Sequence, residues 1–92
     1  MILEFKRPAL EDLASIQAYI GARNPRAAAR MAQELLLACE KLELFPDRGR
    51  GGLVPGTREL TTVWPYIIVY RHTLERIDIL RIWHGAQNRS SE

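Results

Sequence analysis

The chain has 92 residues, 47% hydrophobic and 26% charged, with a formal charge of +2 from 13 basic and 11 acidic side chains. That length supports one core and excludes two, and the composition is that of an ordered globule, not of a disordered or membrane-spanning chain. A charge so near neutrality also lacks the footprint of a dedicated nucleic-acid binder. The first element is a short strand over residues 2–6, where ILEFK alternates apolar and polar. Pro8 then takes the first position of a helix over 8–22, whose Leu10, Leu13, Ile16 and Ile20 recur at three- and four-residue steps. Glu11 and Asp12 are expected in its first turn, where the helix dipole favours acids. Gly21 marks its end.

Asn24-Pro25 supplies an N-cap and a proline at the next helical position, which starts a second helix over 25–45. Ala28, Met31, Leu35, Ala38, Leu42 and Phe45 step by three and four, and Ala32, Leu36 and Cys39 widen the stripe. So wide a stripe needs two neighbours, the first helix and a sheet; Ala27 to Ala29 and Ala32 allow the helices to approach closely. A coiled-coil seam is the competing reading, but the stripe lasts under three heptads and is broader than an a/d pattern.

Pro46-Asp47 stops that helix, and the segment Arg48-Gly-Arg-Gly-Gly52 with Val54-Pro55-Gly56 reads as a turn-rich connection. It is no phosphate loop, since neither a Lys-Ser/Thr pair nor a helix follows. An antiparallel meander over 57–84 comes next, with strands at Thr57 to Val63, Tyr66 to His72 and Arg76 to Trp83. Both parities of the middle strand are apolar, as in a central strand covered on two faces. Residues 87–92 form a polar tail. The expected class is α+β, a single domain over 1–92: a short N-terminal strand and a helical hairpin packed on a three- to four-stranded antiparallel sheet.

The lone Cys39 excludes an internal disulfide and falls on the buried stripe, where a thiol is inert. His72 and His84 stand twelve apart with no carboxylate at ligand spacing, so neither a metal nor another cofactor is expected. Ser15 is helical and Ser90 and Ser91 lie in the tail, which leaves no nucleophile to favour. No catalytic residue is expected from these patterns. What stands out is a basic second half, with seven arginines against five acids after residue 46, balanced at six against six before it. Arginine forks match phosphate and carboxylate, so Arg58, Arg71, Arg81, Trp83 and His84 are candidates for binding a target or partner, with Tyr66 or Tyr70 beside them. The bland alternative pairs Arg58 and Arg81 with Glu59 or Asp78 on adjacent strands. By strand parity Arg81 goes with Ile77, Ile79 and Trp83, and His84 with Leu80 and Ile82, which separates the two unless a bulge or strand end at Trp83 reverses it.

Seven segments then carry a resemblance in order and spacing: Pro8-Ala-Leu-Glu-Asp-Leu13, Asn24-Pro25, Leu44-Phe45-Pro46 with Arg48-Gly49, Pro55-Gly-Thr-Arg-Glu-Leu60, Tyr66-Ile-Ile-Val-Tyr-Arg71 and Ile79-Leu-Arg-Ile-Trp-His-Gly85. Over nearly its whole length the chain resembles the RelE/ParE superfamily of type II toxin-antitoxin toxins, and more closely the ParE or plasmid-stabilisation branch. The resemblance implies the same strand, hairpin and sheet. It also implies a cognate antitoxin that folds across the toxin, on the uncovered sheet face and the hairpin groove, in a hetero-oligomeric complex. RelE-like members cut messenger RNA on the ribosome with basic residues of the sheet; ParE-like members poison DNA gyrase. Here the basic position ahead of the strand core is Ile67, and glycine, not tyrosine, follows His84. Only Arg58 and His84 remain as equivalents for a ribonuclease, and phosphodiester cleavage needs charge stabilisation as well as proton transfer. The resemblance therefore favours gyrase, with the ribosome and messenger RNA as the alternative and a non-toxic antitoxin-binding module as a second. No membrane helix is expected, since Tyr66 to Tyr70 is far too short, and with nothing directing export the cytoplasm is the expected location.

Overall fold

The computed structural model describes residues 2–86, and the expected tail at 87–92 lies outside them. The chain runs β1 (Ile2–Phe5), α1 (Arg7–Gly21), α2 (Pro25–Lys41), β2 (Arg50–Gly51), β3 (Arg58–Leu60), β4 (Tyr66–His72) and β5 (Arg76–His84). The strands form one five-stranded sheet in the order β1-β5-β4-β3-β2. The α+β expectation holds, and the sheet differs from it in two respects. β1 pairs parallel with β5, from Ile2 beside Arg76 to Phe5 beside Ile79, so the sheet is mixed. A helical hairpin is long enough to return the chain for a parallel pairing, which a tight turn cannot do. The second difference is β2, inside the segment expected to be irregular: Arg50 and Gly51 pair antiparallel with Glu59 and Arg58.

α1 begins at Arg7, one residue earlier than expected, because Leu10 N–H already closes a turn on the Lys6 carbonyl (3.1 Å). Glu11 and Asp12 therefore fall beyond the first turn and do not act on its dipole. α2 starts as its sequence dictates, with the Asn24 side chain accepting from Ala27 N–H at 3.0 Å and Pro25 following. It stops at Lys41, short of the expected residue 45, as the next three amides reach back only three residues to Cys39, Glu40 and Lys41. That tighter turn rotates Phe45 out of the stripe and leaves it 62% exposed. Leu36, also assigned to the stripe, is exposed as well.

The core lies between the hairpin and one sheet face. Leu35, Ala38, Cys39 and Leu42 of α2 and Ala9 of α1 cluster with Leu60, Tyr66, Ile68, Tyr70, Ile77, Ile79 and Ile82. Ile79 and Ile82 are both buried although three residues apart, because Val69 pairs with Arg81 and Tyr70 with Ile79, leaving Leu80 as an extra residue in β5. The bulge overturns the grouping of Arg81 with Ile77 and Ile79 and restores the apolar face beyond it.

Candidate functional site

Among the described residues, no helix lies on the opposite face of the sheet. From the registers it carries Glu4, Arg76, Asp78, Arg81, Trp83, Ile67, Val69, Arg71, Glu59 and Arg50. Two of its acids, Asp78 and Glu59, lie deep, while Glu4 and the arginines lie outside. Asp78 is 8% exposed and accepts from Arg76 Nε and Nη2 at 3.0 and 2.9 Å, with Arg71 Nε at 3.7 Å and Lys6 Nζ at 3.9 Å. Glu59 is equally buried and accepts from Arg50 Nε and Nη2 at 3.2 and 3.1 Å. Each carboxylate takes the Nε and Nη2 side of a guanidinium fork, and Arg76 Nη2 also donates to Glu4 Oε1 at 2.5 Å. The result is an arginine-rich surface over largely neutralised carboxylates, with Arg71 the most open of the three predicted arginines at 57% side-chain exposure.

Arg81 lies over the Trp83 ring at 4.0 Å from its centroid, a cation–π contact. Its Nε and Nη2 donate to Asp12 of α1 at 2.7 and 3.0 Å. The same carboxylate accepts from Ile82 N–H at 2.9 Å. β1 pairs β5 only as far as Ile79, so the edge beyond is left without a strand, and Asp12 supplies the acceptor that a longer β1 would have supplied. Arg81 is thus ion-paired, but with Asp12 of α1 and not, as the cross-strand alternative had it, with Glu59 or Asp78 on an adjacent strand.

Arg58 likewise pairs elsewhere than expected. Its Nη1 donates to the Gly49 carbonyl (2.9 Å) and more weakly to that of Asp47 (3.3 Å), and its Nη2 stands 3.3 Å from the Asp47 carboxylate. His72 Nε2 meets the same carboxylate at 2.8 Å. Asp47, by sequence a helix stop, joins Arg58 and His72 in this cluster. Fully buried Tyr70 completes the fastening: its hydroxyl donates to the Pro46 carbonyl at 2.6 Å and accepts from Gly49 N–H at 2.9 Å.

His84 lies at the far end of the sheet, edge-on to Tyr66 with ring centroids 5.5 Å apart at 89°. Its Nδ1 accepts from Ala86 N–H at 3.0 Å, so in the neutral ring the proton is on Nε2. Arg58 pairs with Tyr70 and His84 with Tyr66, on strands flanking β4. At ordinary strand spacings their backbones stand about 16 Å apart. The structure thus groups Arg71, Arg81 and Trp83 on the open face, and places Arg58 and His84 on the helix-bearing side at opposite ends. Arg81 and His84 stay on opposite faces, because the bulge at Leu80 precedes both. Among the described residues no group of three or more His, Cys, Asp or Glu could hold a metal ion.

A sheet with one bare face, a hairpin on the other and this strand order is shared with known proteins. The family described as the ParE toxin of the type II toxin-antitoxin system parDE matches residues 3–89. This chain belongs to the ParE toxin family. Toxin RelE2 of Caulobacter vibrioides is 45% identical over 80 residues, covering 86% of this chain and 89% of that protein. Toxin RelE1 of the same organism is 36% identical over 84 residues, covering 88% and 89%. Among solved structures, a chain of the chromosomal ParDE toxin-antitoxin system from P. aeruginosa superposes with a TM-score of 0.81 at 31% identity, covering 91% of this chain and 95% of that one. The chain is therefore a toxin of a type II toxin-antitoxin system in the RelE/ParE superfamily, and a cognate antitoxin is its implied partner.

Proposed function

We propose that this toxin acts in the cytoplasm by poisoning DNA gyrase, serves plasmid or chromosomal stabilisation in that way, and is silenced when its antitoxin covers it. The observation that carries this reading is the separation of Arg58 from His84. A ribonuclease needs a proton acceptor and a cationic clamp at one phosphodiester, within hydrogen-bond reach of the reacting atoms. Arg58 is committed to Asp47 and Gly49, and the position where a further clamp belongs is Ile67, 2% exposed. The open face offers a different capability, an arginine-bearing surface with Trp83 at one end, suited to docking on a large partner without bond cleavage. We assign target docking to Arg71, Arg81 and Trp83.

Messenger RNA cleavage on the ribosome is the second reading, favoured by the names of the Caulobacter relatives. Supercoiling of relaxed plasmid by purified gyrase and ATP separates the two. Titrated toxin should inhibit it or trap cleaved DNA, and premixed antitoxin should relieve the effect. Full supercoiling at micromolar toxin, with messenger RNA cleavage on purified ribosomes lost in an Arg58→Ala, His84→Ala double variant, would replace the gyrase reading.

A further inference from the structure

The face of α1 that carries Asp12, Ser15, Ile16 and Tyr19, spaced by three and four residues, does not close fully onto the sheet. Between it and the ends of β4 and β5 lies a groove of about 310 Å³, lined also by Tyr66, Ile82 and His84. None of the seven segments that carried the family resemblance includes Ser15, Ile16 or Tyr19.

Two features of the groove are unexplained by the fold. Tyr66 is 94% buried by its 6% exposure, yet its hydroxyl makes no hydrogen bond to any described residue. No buried side-chain nitrogen or oxygen among the described residues lacks a partner, so that hydroxyl reaches the groove. The phenol is a neutral donor at physiological pH, and burial first, with Tyr19 second, pushes its pKa further up. The second feature is Tyr19, an aromatic ring left 75% exposed at the rim. Ile16 and Ile82 supply the apolar walls, and the Tyr66 and His84 rings already meet edge to face, the arrangement that accepts a third ring.

We infer that this groove is a docking pocket for one aromatic side chain of the antitoxin's polypeptide, with the Tyr66 hydroxyl donating to that peptide's backbone or ring substituent. The volume is at the small end of ligand pockets, enough for a single ring. A nucleobase fits less well in charge: it arrives with phosphates, and among the described residues the lining contains neither lysine nor arginine, while the Asp12 carboxylate there is already taken by Arg81. An aromatic anchor in a desolvated pocket is the feature that concentrates binding energy in protein interfaces. The inference rests on membership of a toxin-antitoxin system and is independent of which target the toxin attacks.

The test is titration calorimetry of the toxin with the full-length antitoxin encoded beside it. Ser15 is exposed at the rim, so Ser15→Trp fills the groove from outside without disturbing the core. It should weaken binding by roughly 30-fold, and Tyr66→Phe, which removes only the hydroxyl, should weaken it by roughly 5-fold. Each aromatic residue of the antitoxin is also changed singly to alanine, which leaves the toxin's own folding untouched; one of them should lose affinity in wild-type toxin and lose little more in Ser15→Trp. The inference is overturned if both toxin variants, folded by circular dichroism, bind as wild type does, or if no antitoxin aromatic shows this coupling. It is also overturned if Ser15→Trp abolishes binding of a single-stranded DNA 20-mer while antitoxin affinity is unchanged. Gyrase inhibition by wild-type toxin alone is read in parallel, so that a failed target leaves the antitoxin result standing.

Discussion

Asp12 joins three donors from a neighbouring strand at one carboxylate, and removing it takes two of those bonds from a half-buried guanidinium and the side-chain acceptor from the Ile82 amide. Asp12→Ala should destabilise the protein by roughly 2–3 kcal/mol, because unsatisfied groups carry their full desolvation cost. For a domain of this size that is a fall of about 10 °C or more in Tm. Asp12→Asn, which keeps an acceptor for Ile82 N–H, should cost less, and Glu11→Ala on the exposed side should cost little; thermal unfolding of the three variants checks the order. Cys39 makes a second prediction. Burial, with a smaller contribution from Glu40, pushes its thiol up to about 12. The native protein should therefore be inert to Ellman's reagent at pH 8 and react once denatured. Since the folded value is raised above the ordinary 9.0, the stabilisation is complete below pH 9 and fades as pH climbs from there towards 12, because only the unfolded thiol ionises in that window. A Cys39→Ala variant should lose part of that alkaline sensitivity. Neither role of these residues is equally visible in sequence: the cysteine is legible from its place on an apolar stripe, whereas Asp12 and Arg81 are 69 residues apart along the chain and meet only when α1 crosses the end of β5.

Among the elements, the connection after α2 shows how a segment with no periodic pattern acquires a fixed shape. Tyr70 reaches out of the central strand to hold Pro46 and Gly49, and Arg58 and His72 hold Asp47 beside them. Tyr70→Phe should leave the Gly49 amide and the Pro46 carbonyl without their partner and cost roughly 2 kcal/mol; faster hydrogen exchange at Gly49, with the α2 amides unchanged, would localise the loss. Gly49 itself is required by space. A Cβ there would stand 2.8 Å from the Tyr70 ring and 3.0 Å from the Glu59 carbonyl. α2 was legible because a cap, a proline and a three-four repeat all agree over many residues. β2 was not, since two residues carry no period and their pairing depends on Arg50 finding Glu59. The bulge at Leu80 was invisible for a related reason: a strand read by alternation has no means of signalling an extra residue, and the offset exists only relative to β4.

At the scale of the whole molecule, two chemically different surfaces lie apart. The bare sheet face is cationic and carries Arg71, Arg81 and Trp83; the α1 groove at the other side is aromatic and carries Tyr19, Tyr66 and His84. Charge reversal at exposed Arg71 should therefore separate the activities. Arg71→Glu should raise the toxin concentration needed to inhibit gyrase by roughly tenfold, while antitoxin affinity, measured by calorimetry, should change far less. Equal losses in both assays would show that target and antitoxin share the sheet face. No helix of the described residues is long and apolar enough to cross a membrane.

Local chemistry dictated the class, the hairpin, the start of both helices within a residue, the central strand and the identity of its arginine-rich set, since each depends on neighbours within a few positions in the chain. The family resemblance, also local in its motifs, pointed to a toxin. What folding alone decided is which charges meet. Arg58 turned to Asp47, Arg81 to Asp12 and Arg50 to Glu59, and Arg58 parted from His84, because pairing partners are chosen by strand order, a parallel β1 and one bulge, all of which are relations between segments distant in sequence. Ion pairs and pockets are properties of those relations, so they become legible only once the sheet is assembled.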